Sequence, residues 1–116
     1  MRPVLHSDVV AAARVLLRLP DGCRRREMRR LLEQAAVADL YRKRLRQVHP
    51  QWGNGSLMAA AGARDMAPEK FLDDPDYCCC LMLVFEVLLD WRREREEINH
   101  SHKKCIKEWS DPALNV

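Results

Sequence analysis

The stretch HPQWGNGS (residues 49–56) interrupts a chain that otherwise favours helix, and it dictates where the helices stop. Pro50 has no backbone N–H and restricts His49, so a helix arriving from the N-terminal side cannot pass. Gly53 and Gly55 permit positive φ, and Asn54 tolerates it better than most residues. Ser56 can then cap a short helix from Leu57 to about Ala61 or Gly62. Trp52, Gly53, Asn54, Gly55 and Ser56 are therefore expected to form an architectural reversal, with Trp52 filling the gap between helix ends.

On either side of this reversal, apolar residues recur at helical spacing. A first helix is expected over about Asp8–Leu19, capped by Ser7, with Val9, Ala12, Ala13, Leu16 and Leu17 on its inner face. The turn LPDG ends it. A second helix is expected over about Cys23–Gln47, with an apolar stripe of Met28, Leu31, Leu32, Ala35, Ala36 and Leu40. After an irregular acidic linker (63–76), Asp73 or Asp74 can cap a helix from Pro75 to about Ile98, with Pro75 in its first turn. This helix carries two apolar stripes. One is Leu81, Met82, Phe85, Leu88 and Leu89; the other is Tyr77, Cys80, Val84, Val87 and Trp91. With only two Phe, two Tyr and three Trp, a core of Leu, Val, Ala and Met is implied, a mixture that favours helix over strand. The expected fold is all-α, a small irregular bundle of three main helices plus one short one.

Length suits one domain, expected over residues 1–98. Towards its end, from Arg93 on, the chain changes character: both Ile, Ile98 and Ile106, and three of the five Lys lie in this last stretch. Residues 99–116 therefore read as a C-terminal extension, loosely ordered past Asn99. No signal-peptide pattern is seen, and the most apolar segment, Tyr77–Leu89, is too short to span a bilayer, so a cytoplasmic protein is expected. Five cysteines, three of them adjacent (Cys78, Cys79, Cys80), make a poor disulfide framework and read as reduced, buried thiols.

Charge is distributed unevenly. Between Arg24 and Arg46 lie nine basic residues against three acidic ones, Glu27, Glu33 and Asp39, although the whole chain is only +3. Arg24, Arg25, Arg29, Arg30, Arg42, Lys43 and Arg46 could contact nucleic acid or an acidic protein. The competing expectation is a solvated face that pairs internally with the acidic DDPD and REREE segments. Few aromatics interleave the arginines, which argues against stacking on single strands, and no helix-turn-helix is evident where the charge lies.

The segments MRPVL, AAARVLL, ADLYRKR, HPQWGNGSLMAAA and LDDPDYCCCL together resemble a family of short uncharacterised proteins of Rhodobacter-like alphaproteobacteria. The resemblance covers about residues 1–92, with HPxWGNGSLM as its more specific motif. It implies a bacterial cytoplasm and no assigned activity.

Chemistry-bearing motifs are sparse. His100, His102 and Cys105, even with Cys23, do not form the repeated ligand pairs that zinc sites favour, so no metal is expected. GNGS lacks the lysine and the preceding strand of a phosphate loop, although an anion could sit at the start of helix 3 with Asn54 and Ser56 as contacts. His49, beside Trp52 and Ser56, is the sole candidate acid–base group and reads as a hydrogen-bonding spacer. Neither catalysis nor a cofactor is expected. Helix 4 is apolar on most sides, and three short neighbours cannot cover it all. The resulting expectation is an interaction protein, an adaptor or regulatory subunit, that docks a protein partner or its own copy. Its docking residues would be Tyr77, Val84, Val87 and Trp91, assisted by the basic face of helix 2. A nucleic-acid-binding regulator using that basic face is the alternative.

Overall fold

Two carboxylates and one serine begin three of the helices. Asp8 accepts a hydrogen bond from the Leu5 amide (2.7 Å) at the start of α1 (His6–Leu17) and another from the Met58 amide (2.9 Å) in the first turn of α3 (Leu57–Ala61). Ser56 Oγ accepts from the Ala59 amide at 3.1 Å, which caps α3. Asp74 Oδ1 accepts from the Tyr77 amide (2.9 Å) and caps α4 (Pro75–Ser110). These side chains satisfy amides that have no partner within their helices. In this computed structural model the backbone is described for residues 1–110 and side chains for residues 1–98.

α2 (Asp21–Leu45) follows α1 through the short Leu-Pro turn, with Pro20 as the residue that enters the helix. The order α1–α2–α3–α4, with no strand among the described residues, is an all-α bundle of three main helices and one short helix. α4 packs against both α1 and α2. α3 fills the opening between α1 and α2. The core is built from Val9, Ala12 and Leu16 of α1, Met28, Leu31 and Leu32 of α2, Leu57 and Ala61 of α3, and Tyr77, Val84 and Val87 of α4. The linker is pinned to α1: the Ala67 amide donates to Arg14 O (3.0 Å), and Arg14 Nε donates to Ala67 O (2.7 Å).

Several boundaries differ from the expectation. The N-cap of α1 is Leu5, and Ser7 lies inside the helix, because Asp8 reaches back to the Leu5 amide. α2 starts two residues before Cys23 and stops at Leu45. There Arg46 turns left-handed (φ 53°), and its amide closes on Arg42 O at 2.8 Å. Leu40 lies outside the core, 48% exposed; at this level of α2 the inner face has moved to Ala38 and Asp39, under the reversal. α4 does not end near Ile98 but continues to Ser110. No Gly or Pro occurs between Asp76 and Ser110 to break it.

The reversal has the form its residues predict. Gly53 and Gly55 both hold positive φ, 81° and 94°. His49 and Gly53 exchange a pair of backbone hydrogen bonds, and Asn54 Oδ1 accepts from the Ser56 amide. Trp52 stacks flat on the His49 ring, with centroids 4.7 Å apart.

Candidate functional site

α4 sorts its two apolar stripes in one direction. Tyr77, Cys80, Val84 and Val87 are fully buried, and Trp91 nearly so. The four docking candidates Tyr77, Val84, Val87 and Trp91 therefore belong to the chain's own core, which corrects the sequence expectation: α1 and α2 meet α4 on this stripe. Burial pushes the Tyr77 phenol and the Cys80 thiol up, as apolar surroundings disfavour their charged forms. The stripe left outside is Met82 (66% exposed), Phe85 (53%) and Leu89 (50%), with Cys78 one turn before Met82. Leu81 and Leu88 form its half-buried shoulder. Just ahead of the helix, Phe71 and Leu72 are more exposed still. The expected triple of buried cysteines resolves into one, Cys80. Cys78 and Cys79 are exposed because successive helical residues point about 100° apart and only one direction leads inward.

The basic face of α2 is largely spent on α4. Arg24 is buried; its Nε donates to Leu16 O (2.9 Å) and Leu19 O (3.0 Å), while its other nitrogens pair with Asp76 (2.7 Å) and Asp21 (2.8 Å). The bond to Asp76 raises the Arg24 pKa and holds the Asp76 carboxyl below its usual range. Arg25 pairs with Glu86 (2.9 Å) and Asp90 (2.8 Å). Arg29 pairs with Glu94 (2.8 Å), which lowers the Glu94 carboxyl, and lies over the Trp91 ring. Among the described residues Arg30 has a single long contact, to Glu27 at 3.8 Å. The carboxylates at 86, 90 and 94 repeat at the helical interval of Arg25 and Arg29, so the pairing was readable as complementary spacing. Arg24 and Arg29 thus pair with the DDPD and REREE segments, whereas Arg25 pairs with carboxylates outside both, Glu86 and Asp90.

Further along α2, Arg42 (2.9 Å) and Lys43 (3.2 Å) both turn back to the buried Asp39 carboxylate, which also lies 3.2 Å from the amino group of Met1. Burial pushes Asp39 up. The hydrogen bonds from Arg42, Lys43 and the amino group outweigh it and hold the carboxyl well below the ordinary range. Arg46 is the residue that ends the helix. These three basic residues thus serve the junction between α2 and the reversal.

His49 is a spacer by geometry. Its Nδ1 accepts from the Gln51 and Trp52 amides, both at 3.1 Å, and its ring lies between Tyr41 and Trp52. The side chains of His100, His102 and Cys105, and all of residues 111–116, lie outside the described residues. Among the described residues no cluster of His, Cys, Asp or Glu could hold a metal ion, and no helix is long and apolar enough to cross a membrane.

Residues 2–88 match a family described as a domain of unknown function (DUF7742). The chain belongs to this family. The match takes in α1, α2, the reversal, α3 and α4 as far as Leu88, and so includes Met82 and Phe85. No curated protein and no solved structure matches the chain.

Proposed function

We propose that this chain is a small non-enzymatic interaction protein, an adaptor or regulatory subunit, that docks a protein partner through the outer face of α4. In this reading it works in the cytoplasm of a Rhodobacter-like alphaproteobacterium, the source its sequence motifs resemble. The observation that carries the reading is the exposure of Met82, Phe85 and Leu89 on one helix face. Burying such a side chain is worth about 1.5–3 kcal/mol, so three left in water on one face favour a covering surface. The exposed arginines of the α2 basic face that make no bond to α4 among the described residues, Arg26 and Arg30, are placed to steer an acidic partner. Nucleic-acid binding by α2 draws less support, since Arg24, Arg25 and Arg29 already hold carboxylates.

The test is a photo-reactive phenylalanine analogue at position 85, irradiated in intact cells. The expected result is one discrete covalent adduct, absent when the analogue replaces exposed Lys70. A chain that forms no adduct from position 85 overturns the docking reading.

A further inference from the structure

We infer that the outer face of α2 seats an acidic amphipathic helix of a different protein. This face lies opposite the stripe that α2 buries, and the inference stands whether or not the outer face of α4 docks a partner. Arg26, Arg30, Glu33, Val37, Leu40 and Arg44 follow one another at intervals of four, three, four, three and four residues, so they form one stripe along the helix. All six are exposed. The two apolar members, Val37 (50% exposed) and Leu40 (48%), stand between the arginines. Among the described residues Arg26 and Arg44 form no ion pair, and Arg30 reaches only Glu27, at 3.8 Å.

The molecule itself contains the kind of contact this stripe can make. Arg25 and Arg29, four residues apart on the flank of α2, hold Glu86, Asp90 and Glu94, which follow one another four residues apart on α4. Two helices thus meet guanidinium to carboxylate at the same one-turn interval. Arg26 and Arg30 repeat that interval one residue further round, beside a groove that Gly22, with no atom close to its Cα hydrogens, leaves open at one end. A helix with two carboxylates four residues apart answers this pair. An apolar pair about two turns further along the same helix covers Val37 and Leu40, and a last carboxylate meets Arg44. A phosphate backbone would set charge against Val37 and Leu40, which such a helix covers with apolar surface. A second copy of the chain is disfavoured, because the stripe holds three arginines against one carboxylate. Overlapped along its full length, two copies set Arg26 on Arg44 when antiparallel and each arginine on its own counterpart when parallel.

The test titrates the full chain at low salt with two synthetic helical peptides of about 24 residues. Each carries Glu, Glu, Lys, Leu, Leu and Glu at the intervals of the stripe, one in each chain direction, with alanine and glutamine elsewhere. One of them should bind in the micromolar range. Arg26→Glu/Arg30→Glu should weaken binding by at least about tenfold, and the same peptide with its two adjacent-turn Glu changed to Lys should recover it on that variant. Val37→Asp should weaken binding by about tenfold, since a charge would be buried against the leucines. Phe85→Glu, on α4, should leave binding unchanged, which separates this surface from the α4 reading. Circular dichroism showing unchanged helicity keeps each comparison valid. Neither peptide binding at about 500 µM overturns the inference, as does a Val37→Asp chain that binds like wild type. A DNA duplex of about 20 base pairs, or vesicles containing phosphatidylglycerol, bound more tightly than both peptides would also overturn it and assign the face to a polyanion.

Discussion

Gly55 lies so close to Asp39 that a Cβ built on the glycine would stand 2.6 Å from the Asp39 Cα, and its carbonyl accepts from the Arg2 amide at 2.9 Å. The reversal is therefore packed against the middle of α2 with no room for a side chain. Gly55→Ala adds both this clash and the strain of positive φ (94°). We expect it to destabilise the fold by about 2–4 kcal/mol. Gly22→Ala, in open space within the first turn of α2, should be neutral or slightly stabilising. Urea unfolding of the two variants beside wild type checks the contrast.

The same aspartate makes the fold acid-sensitive. The folded-state pKa of Asp39 lies below its unfolded value, so its contribution is complete above the unfolded pKa of about 3.9 and is lost as pH falls below it. Asp76 and Glu94 are lowered too and act in the same direction, weakly because they are exposed. Unfolding free energy measured from neutral pH downward should fall most steeply below about pH 4. Asp39→Asn should lower the neutral plateau by about 1–3 kcal/mol and flatten that acid limb. An acid limb of unchanged slope would show that Asp39 does not set it.

The arginines of α2 divide by burial. Arg24→Ala removes the donor that holds Leu16 O and Leu19 O at the end of α1, so a loss of about 1–3 kcal/mol is expected. Arg25→Ala breaks exposed pairs to Glu86 and Asp90 and should cost less than about 1 kcal/mol, diminishing with added salt. Thermal melts at two salt concentrations separate the buried contribution from the screened one.

Much of this architecture was legible in the residues. The helical spacing of Val9, Leu16, Met28, Leu32 and Val84, the breaks at Pro20 and Pro50, and the caps Ser56 and Asp74 are local features, and local chemistry decides them. Contacts that join distant segments were less visible. Asp8 reads as a first-turn acid, yet it also caps α3 through Met58, fifty residues away. On α4, two apolar stripes of similar quality competed for the core. Which one turns inward depends on how α1 and α2 meet that helix, and spacing within α4 alone does not tell that Tyr77, Val84, Val87 and Trp91 form the inner face. The family match adds no activity.

The most direct measurement of the central claim follows the methionine methyl signals of the labelled chain as unlabelled extract of its source cells is added. Met82 stands on the outer face of α4, Met28 is fully buried in the core, and Met58 is exposed on α3, away from that face. If the outer face of α4 is the docking surface, the Met82 methyl resonance should move or broaden as extract is added while Met28 and Met58 hold still. A Met82 signal that stays fixed as extract is added, or one that moves no more than Met58, would contradict the account.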